Sequence, residues 1–410
     1  MEATGQRITG RYASLAVDGP PAEVARDLVN LVNLQGAGEV AITPTSMRRE
    51  VGEALERLDP PGSWRAWWHR AAGEPVELID GPPSQLLPTP VHGFGPFERE
   101  AGAAPQLGIN IGGHYLRLVR IHRGKVVDSR EKRLGSGRQS SLFGISLRSF
   151  LEMLTGDELA HGVRSVGIAW SAPRTRVGLR AMSILTQGGG EVVGLLDTGE
   201  LDSVLTKALG CPVRSWNDGE AVAAAEALAR PGGRDRPLLV LKLGTSFASG
   251  LVLGAHKVSA LPMQLSKCLP RTVPSERFAH PMVGLHGTAR DALGAACVSE
   301  AFRLLTGRTR ADFEDYCLAT LRGDPVATRL ARSAARTVAE MAHFVSRLWS
   351  PVDLVLSGRN LRQLPYRQKF TELVRHELAR FPSGITLLDP AGEVSLSAAL
   401  GAAALSRAHA

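Results

Sequence analysis

The chain has 410 residues, 44% of them hydrophobic and 21% charged, with a formal net charge of +8. That length exceeds one ordinary hydrophobic core and predicts two or three domains, with enough apolar content to bury them without staples. No run of about 18 apolar residues occurs, and the opening MEATGQRITG lacks the basic and apolar blocks of an export signal, so the expected location is cytoplasmic. Four cysteines, Cys211, Cys268, Cys297 and Cys317, show no CxxC spacing, which argues against a disulfide framework or a zinc knuckle and predicts buried thiols. Residues 1–100 carry nine Arg and no Lys against fourteen Asp and Glu, a balance of −5, so the remaining 310 residues hold an excess of +13. A body of that sign suits an anionic nucleotide, although a scattered, solvated surface accounts for most such charge.

In chain order, Arg11–Val17 reads as a strand, and Pro21–Leu34 as a helix, with Val24, Leu28, Leu31 and Val32 at helical spacing behind Pro20-Pro21. Glu39–Ile42 is short and extended, Thr45–Leu58 is helical, and Trp64, Trp67 and Trp68 cluster. Such a cluster either stacks on a sugar ring or anchors a small domain to its neighbour. These features define a small acidic N-terminal domain, 1–80, and the Pro/Gly-rich stretch 81–106 reads as a linker.

From Leu107 the pattern changes to a β-meander: a strand, a Gly112-Gly113 turn, a strand with Leu116, Val119 and Ile121, a turn at Arg123-Gly124, and a third strand. Helical material follows at Ser146–Leu154, then a buried strand at Ser165–Ala169, a loop with Gly188–Gly190, a helix at Thr198–Leu209 and a strand at Pro212–Ser215. That strand delivers Asn217 and Asp218 to the start of an Ala-rich helix. Leu238–Leu243, the small-residue stretch Gly244–Gly250 and Leu251–Leu253 then repeat the strand, bend and strand theme, a weak internal duplication. A carboxylate at a strand-to-helix turn can accept a proton, and small residues between strands can lay backbone N–H groups against a phosphate. The pairing points to phosphoryl transfer. Each part also has a plainer reading: Asp218 suits an N-cap, Gly112-Gly113 a hairpin, and Thr245 and Ser246 local backbone donors.

Asn110-Ile-Gly-Gly-His114, Asn217-Asp218-Gly-Glu220, Gly244-Thr245 through Gly250, and Val352 through Gly358 stand in the order and rough spacing of the ROK family, which groups repressors, open reading frames and sugar kinases. The resemblance covers 107–406 and includes the closing Gly-Ala helix Ser395–Ser406. It implies an α/β, two-lobed actin-like ATPase (ribonuclease H-like) fold, with lobe I at 107–229, lobe II at 230–410 and a small mixed N-terminal extension. It further implies that Asn110, Gly112, Gly113 and His114 face Gly244, Thr245, Ser246 and Gly250 across a cleft holding ATP, with Gly358 near the adenosine. By the same resemblance Asp218 is the general base, Asn217 and Glu220 meet the sugar, Mg²⁺ accompanies the nucleotide, and a homodimer is expected.

The chain also departs from the family pattern. Kinases of the family carry Asp where this chain has Asn110, and Thr where it has His114. Their Gly-Glu-x-Gly-His, which grips the sugar, is replaced by LPMQLSKCLPRT, and the zinc-binding cysteines beside it are absent, leaving His280 and His286 as lone histidines. Three readings follow: an ATP-dependent kinase of a sugar-like hydroxyl compound, a sugar-responsive transcriptional regulator, or a catalytically silent binding protein. A regulator needs a basic helix-turn-helix near the N-terminus, and Thr45-Ser46-Met47-Arg48-Arg49 in acidic surroundings is the one candidate, which ranks nucleic acid below a small-molecule partner.

Overall fold

The computed structural model describes residues 7–36, 38–60, 62–79, 86–95, 104–112, 115–133, 152–172, 174–175, 178–181, 196–230, 235–273, 284–381 and 384–407. The chain opens with β1 (Arg7–Thr9), β2 (Ser14–Ala16), α1 (Pro21–Gln35), β3 (Gly38–Thr43), α2 (Arg48–Leu58), α3 (Ser63–Ala72), β4 (Val76–Ile79) and β5 (Val91–Gly93). The meander β6 (Gln106–Ile111), β7 (Tyr115–His122) and β8 (Lys125–Arg133) leads to β9 (Ser165–Trp170), β10 (Arg174–Thr175), β11 (Gly178–Ala181) and β12 (Leu196–Asp197). Then come α4 (Thr198–Leu209), β13 (Val213–Asn217), α5 (Asp218–Leu228), β14 (Leu238–Leu243), β15 (Phe247–Val252) and β16 (Lys257–Ser259). The last part holds α6 (Ala295–Thr306), α7 (Phe313–Leu321), α8 (Pro325–Ser346), β17 (Val352–Ser357), α9 (Leu364–Leu378), β18 (Ile385–Leu388) and α10 (Ser397–Arg407). Most of the expected helices and strands are therefore present. The predicted start of the helix at Ser146 and the Gly188–Gly190 loop lie outside the described residues.

These elements form two compact units: Met1–Thr89, Leu241–Ala248 and Leu261–Leu388 in the first, and Pro90–Val240, Ser249–Ala260 and Asp389–Ala410 in the second. In the second, the sheet runs β13-β9-β6-β7-β8, parallel from β13 through β6 and antiparallel along the meander. Strand alternation sends Leu107, Ile109 and Ile111, in register with Val166, Ile168 and Trp170, to one face, where α4 supplies Leu201 and Leu205. On the other face α10 lies close over β6 and β9, because its Ala and Gly residues present almost no side chain and Gly108 and Gly167 sit side by side beneath it. Val119 and Ile121 join Ala399 and Ala403 in that second core, and the Trp216 indole N–H donates to Ser406 Oγ at 2.8 Å. Residues 91–93, within the stretch expected as a linker, form β5, which pairs antiparallel with β16.

In the first unit the N-terminal strands order β2-β1-β3-β4, with β3 and β4 parallel across the α2–α3 connection. The first 80 residues, expected as a domain of their own, share this unit with Leu261–Leu388. Helix α1 is buried along nearly its whole length, including the polar Asn30 (3% exposed) and Asn33 (0%). Both amides reach residues more than 230 positions away: Asn33 Nδ2 donates to Lys267 O at 2.9 Å, and Asn30 exchanges bonds with the Leu269 backbone, N–H to Oδ1 at 2.6 Å and Nδ2 to O at 3.3 Å. The indole N–H groups of Trp64 and Trp68 both donate to Asn33 Oδ1, at 3.0 and 3.1 Å. Trp67 lies under the Lys267 ammonium, 4.6 Å from its ring centre. The tryptophans thus take the anchoring role, as internal fasteners of α3 to α1 and to the 267–269 strip. Elsewhere in this unit β17 and β18 pair in parallel, and α8 starts at Asp324, whose carboxylate caps Val326 and Ala327.

Candidate functional site

The hydrogen bonds at the start of α5 show which residue caps the helix. Asn217 is the N-cap: its Oδ1 accepts from Gly219 N at 2.9 Å and from Glu220 N at 3.3 Å, while Nδ2 donates to Ala172 O at 2.6 Å. Capping therefore falls to Asn217, whose side chain is largely spent on it. Asp218 is the first helical residue and is 7% exposed. The turn is held from behind by an approach only glycine allows, since a Cβ on Gly250 would collide with the Gly219 carbonyl and with Ala223. Gly250 was expected in a phosphate-binding bend. It lies instead inside β15, which begins at Phe247, and its lack of a side chain is explained by packing against α5.

Glu220, two residues on, is 1% exposed and is held by Arg174: Nε donates to Oε1 at 2.5 Å and Nη2 to Oε2 at 2.8 Å. The guanidinium also sits 5.7 Å from the centre of the Trp216 ring, whose other neighbour is His92 in an edge contact at 5.2 Å. Glu220, expected to meet the sugar, is thus held in an ion pair. Arg174 was not legible as a site residue, because an Arg after Ser-Ala-Pro carries no pattern of its own.

In the same unit Asn110 stands one residue before the end of β6, 5% exposed, with an Oδ1 that accepts no hydrogen bond among the described residues. A buried, unoccupied oxygen of that kind fits a donor such as the water shell of a cation. Gly112 N donates to Tyr115 O at 3.0 Å, and Gly113 and His114 lie outside the described residues.

The other glycine-bearing segments belong to the first unit. Gly244 O accepts from Ala295 N, at the first turn of α6, and from Asn360 Nδ2, both at 3.0 Å. A peptide unit is planar and trans, so fixing this carbonyl aims the Thr245 N–H the opposite way, and Thr245 is exposed. Gly244 N meanwhile donates to Ser246 O at 2.8 Å, so the bend is short, 244–246. Gly358 has φ of 100° and would drive a Cβ into the Leu243 backbone, so only glycine serves there. Leu243, Leu293, Phe313, Tyr316, Asn360 and Tyr366 surround a small pocket behind this bend. Burial pushes both tyrosine hydroxyls above their ordinary range, so they stay neutral hydrogen-bonding groups.

The strip Leu261–Pro270, within the stretch that replaces the family's sugar grip, is buried throughout and tied to α1 as described. It is an internal part of its unit. His280 lies outside the described residues, His286 is exposed, and among the described residues no group of three His, Cys, Asp or Glu is arranged to hold a metal. All four cysteines are buried, and no described helix is long and apolar enough to cross a membrane.

No protein-family model matches the chain, and no curated protein matches it in sequence. Solved structures do match. A ROK hexokinase from Thermus thermophilus is 18% identical, with a TM-score of 0.55, over 74% of this chain and 98% of that one. A ROK family glucokinase from Streptomyces griseus, solved with glucose and AMPPNP, is 16% identical, with a TM-score of 0.57, over 74% and 99%. A ROK family transcriptional regulator, a homologue of the E. coli MLC protein, is 18% identical, with a TM-score of 0.54, over 74% and 78%. The chain has the α/β fold of these ROK structures, the fold that its motifs anticipate.

Proposed function

We propose that the chain is a ROK-type, ATP-dependent phosphotransferase acting on a hydroxyl of a sugar or sugar-like small molecule, with Asp218 as the general base. The observation that carries this reading is the division of labour at the start of α5, where Asn217 caps the helix and leaves a nearly buried carboxylate one residue on. Such a carboxylate can orient an acceptor hydroxyl and take its proton as the oxygen attacks phosphorus. Bound Mg²⁺ and ATP supply the electrophilic phosphoryl group and offset its charge, and the chain supplies position. Asn110 Oδ1 is the group we assign to the cation's water shell, and the backbone N–H of the exposed residue Thr245 is the donor we assign to a phosphate. The glucokinase similar to this chain was solved with glucose and AMPPNP, which supports a sugar and a nucleotide as the ligands.

Asp218→Asn keeps the shape and removes the base. Phosphoryl transfer falls by about 10²-fold or more, while AMPPNP affinity, measured by titration calorimetry, stays within twofold. Undiminished transfer by the variant defeats the assignment. A second reading, a fold-retaining protein that binds ligand without turnover, draws on Asn110, which keeps the shape of the family's Asp and gives up its charge. Wild type that binds AMPPNP and Mg²⁺ yet transfers nothing across a broad sugar panel favours that reading. A salt-dependent shift of DNA fragments favours the regulator instead.

A further inference from the structure

We propose that Arg174 recognises the acceptor, and that the acceptor carries an oxyanion, a carboxylate or a phosphate, in addition to its reacting hydroxyl. The proposal deepens the phosphotransferase reading and rests on it for the role of acceptor. The binding geometry is argued separately. A guanidinium has five N–H groups in a rigid fork and presents two edges on which a carboxylate or phosphate can sit bidentately. Glu220 fills the side edge through Nε and Nη2, and Arg174 makes no other hydrogen bond among the described residues. Among the described residues no group takes the end-on edge, Nη1 with the second Nη2 proton.

The group is also fixed in place. Trp216 packs against the guanidinium, and the loop leading to it is tied to the catalytic turn by Asn217 Nδ2 on Ala172 O, two residues before Arg174. Glu220 and Asp218 both lie in the first turn of α5, and their side chains leave the helix about 200° apart, so an acceptor that meets both Asp218 and Arg174 has to cross the helix N-terminus. The first turn of α5 adds the partial positive charge of a helix N-terminus to that of Arg174. Glu220, at 1% exposure, is too deep to meet a ligand and acts as a positioning residue, whereas the Arg174 side chain keeps 13% of its surface. A buried Arg–Glu pair contributes little net stability over an apolar pair of the same volume. Orienting a fork toward an oxyanion gives the pair a function that stability does not.

The test is a matched ligand panel on the full chain saturated with AMPPNP: glucose, glucuronate, gluconate, glucose 6-phosphate, and the corresponding mannose and galactose compounds. Binding is measured by calorimetry and thermal shift at constant ionic strength. At least one acid class binds tenfold or more tighter than its neutral parent, and the carboxylate and phosphate arms identify which oxyanion is taken. Arg174→Met abolishes the preference with AMPPNP affinity unchanged, and Arg174→Lys, which keeps the charge but not the fork, restores less than half of it in free energy. Because Arg174→Met strands a buried carboxylate, Arg174→Met with Glu220→Gln serves as the folded control and shows the same loss. Neutral sugars binding as tightly as every acid, no acid binding at all, or a preference that survives both variants overturns the proposal. Acid binding without any phosphoryl transfer sinks the phosphotransferase reading and leaves the Arg174 assignment standing. Transfer to neutral hexoses with KM unchanged in Arg174→Met does the reverse.

Discussion

Replacing Asn33 with Leu tests whether the N-terminal segment is part of the first unit's core. The side chain is fully buried and holds three groups, the indoles of Trp64 and Trp68 and the carbonyl of Lys267, all in residues 4% exposed or less. Leucine keeps the branched outline of asparagine and offers no partner, so three polar groups are stranded at about 1–3 kcal/mol each. Side-chain relaxation recovers part of that sum, giving a net cost of about 3–5 kcal/mol, in the range of the largest single-residue effects. A unit of this size loses about 2–4 °C per kcal/mol, so the melting temperature falls by about 6–20 °C. Urea denaturation followed by tryptophan fluorescence reads the change directly. Adding Trp64→Phe and Trp68→Phe to Asn33→Leu removes the stranded donors as well, and the triple variant recovers part of the loss, because apolar replacement of both partners costs less than removal of one. A shift under 2 °C for Asn33→Leu, or a triple variant less stable than the single one, refutes the reasoning.

Gly250→Ala places a methyl against the Gly219 carbonyl and Ala223. It costs about 1–3 kcal/mol as overpacking and displaces the Asp218 turn, so a lower melting temperature accompanies a lower kcat. His343 stacks on Phe381, and burial, with Arg347 beside it, holds its imidazole below the ordinary value. The unfolded chain therefore takes the proton first: the contribution to stability is complete above about pH 6.5 and is lost as pH falls from there through the folded value. Urea midpoints measured from pH 7.5 to pH 5 fall more steeply in wild type than in His343→Leu, and parallel curves defeat the attribution.

The fold was legible in the sequence because its signals are local or ordered. The meander of β6 to β8, the periodic α1 and the four small-residue segments each announce themselves within a few residues, and their order carries the architecture. The site was legible in part. Asn217 and Asp218 are both strong N-cap residues, so only the hydrogen bonds could show which one caps. Gly250 reads as loop by composition and is strand by structure, since a glycine required for close packing looks the same in sequence as one required for a bend. Arg174 and Asn33 were invisible for another reason. Their partners are 46 and 234 positions away, and a single Arg or Asn gives no sign of a partner that distant.

That separation has a consequence for synthesis. Asn30 pairs with a residue 239 positions downstream, so most of the polypeptide must be made before α1 can be enclosed. At roughly 5–20 residues per second the ribosome takes about 12–48 s to cover the interval. Throughout it Asn30 and Asn33 lack the backbone partners that the 267–269 strip later supplies. Helix α1 thus reaches its final environment only after the chain through Leu269 has been made.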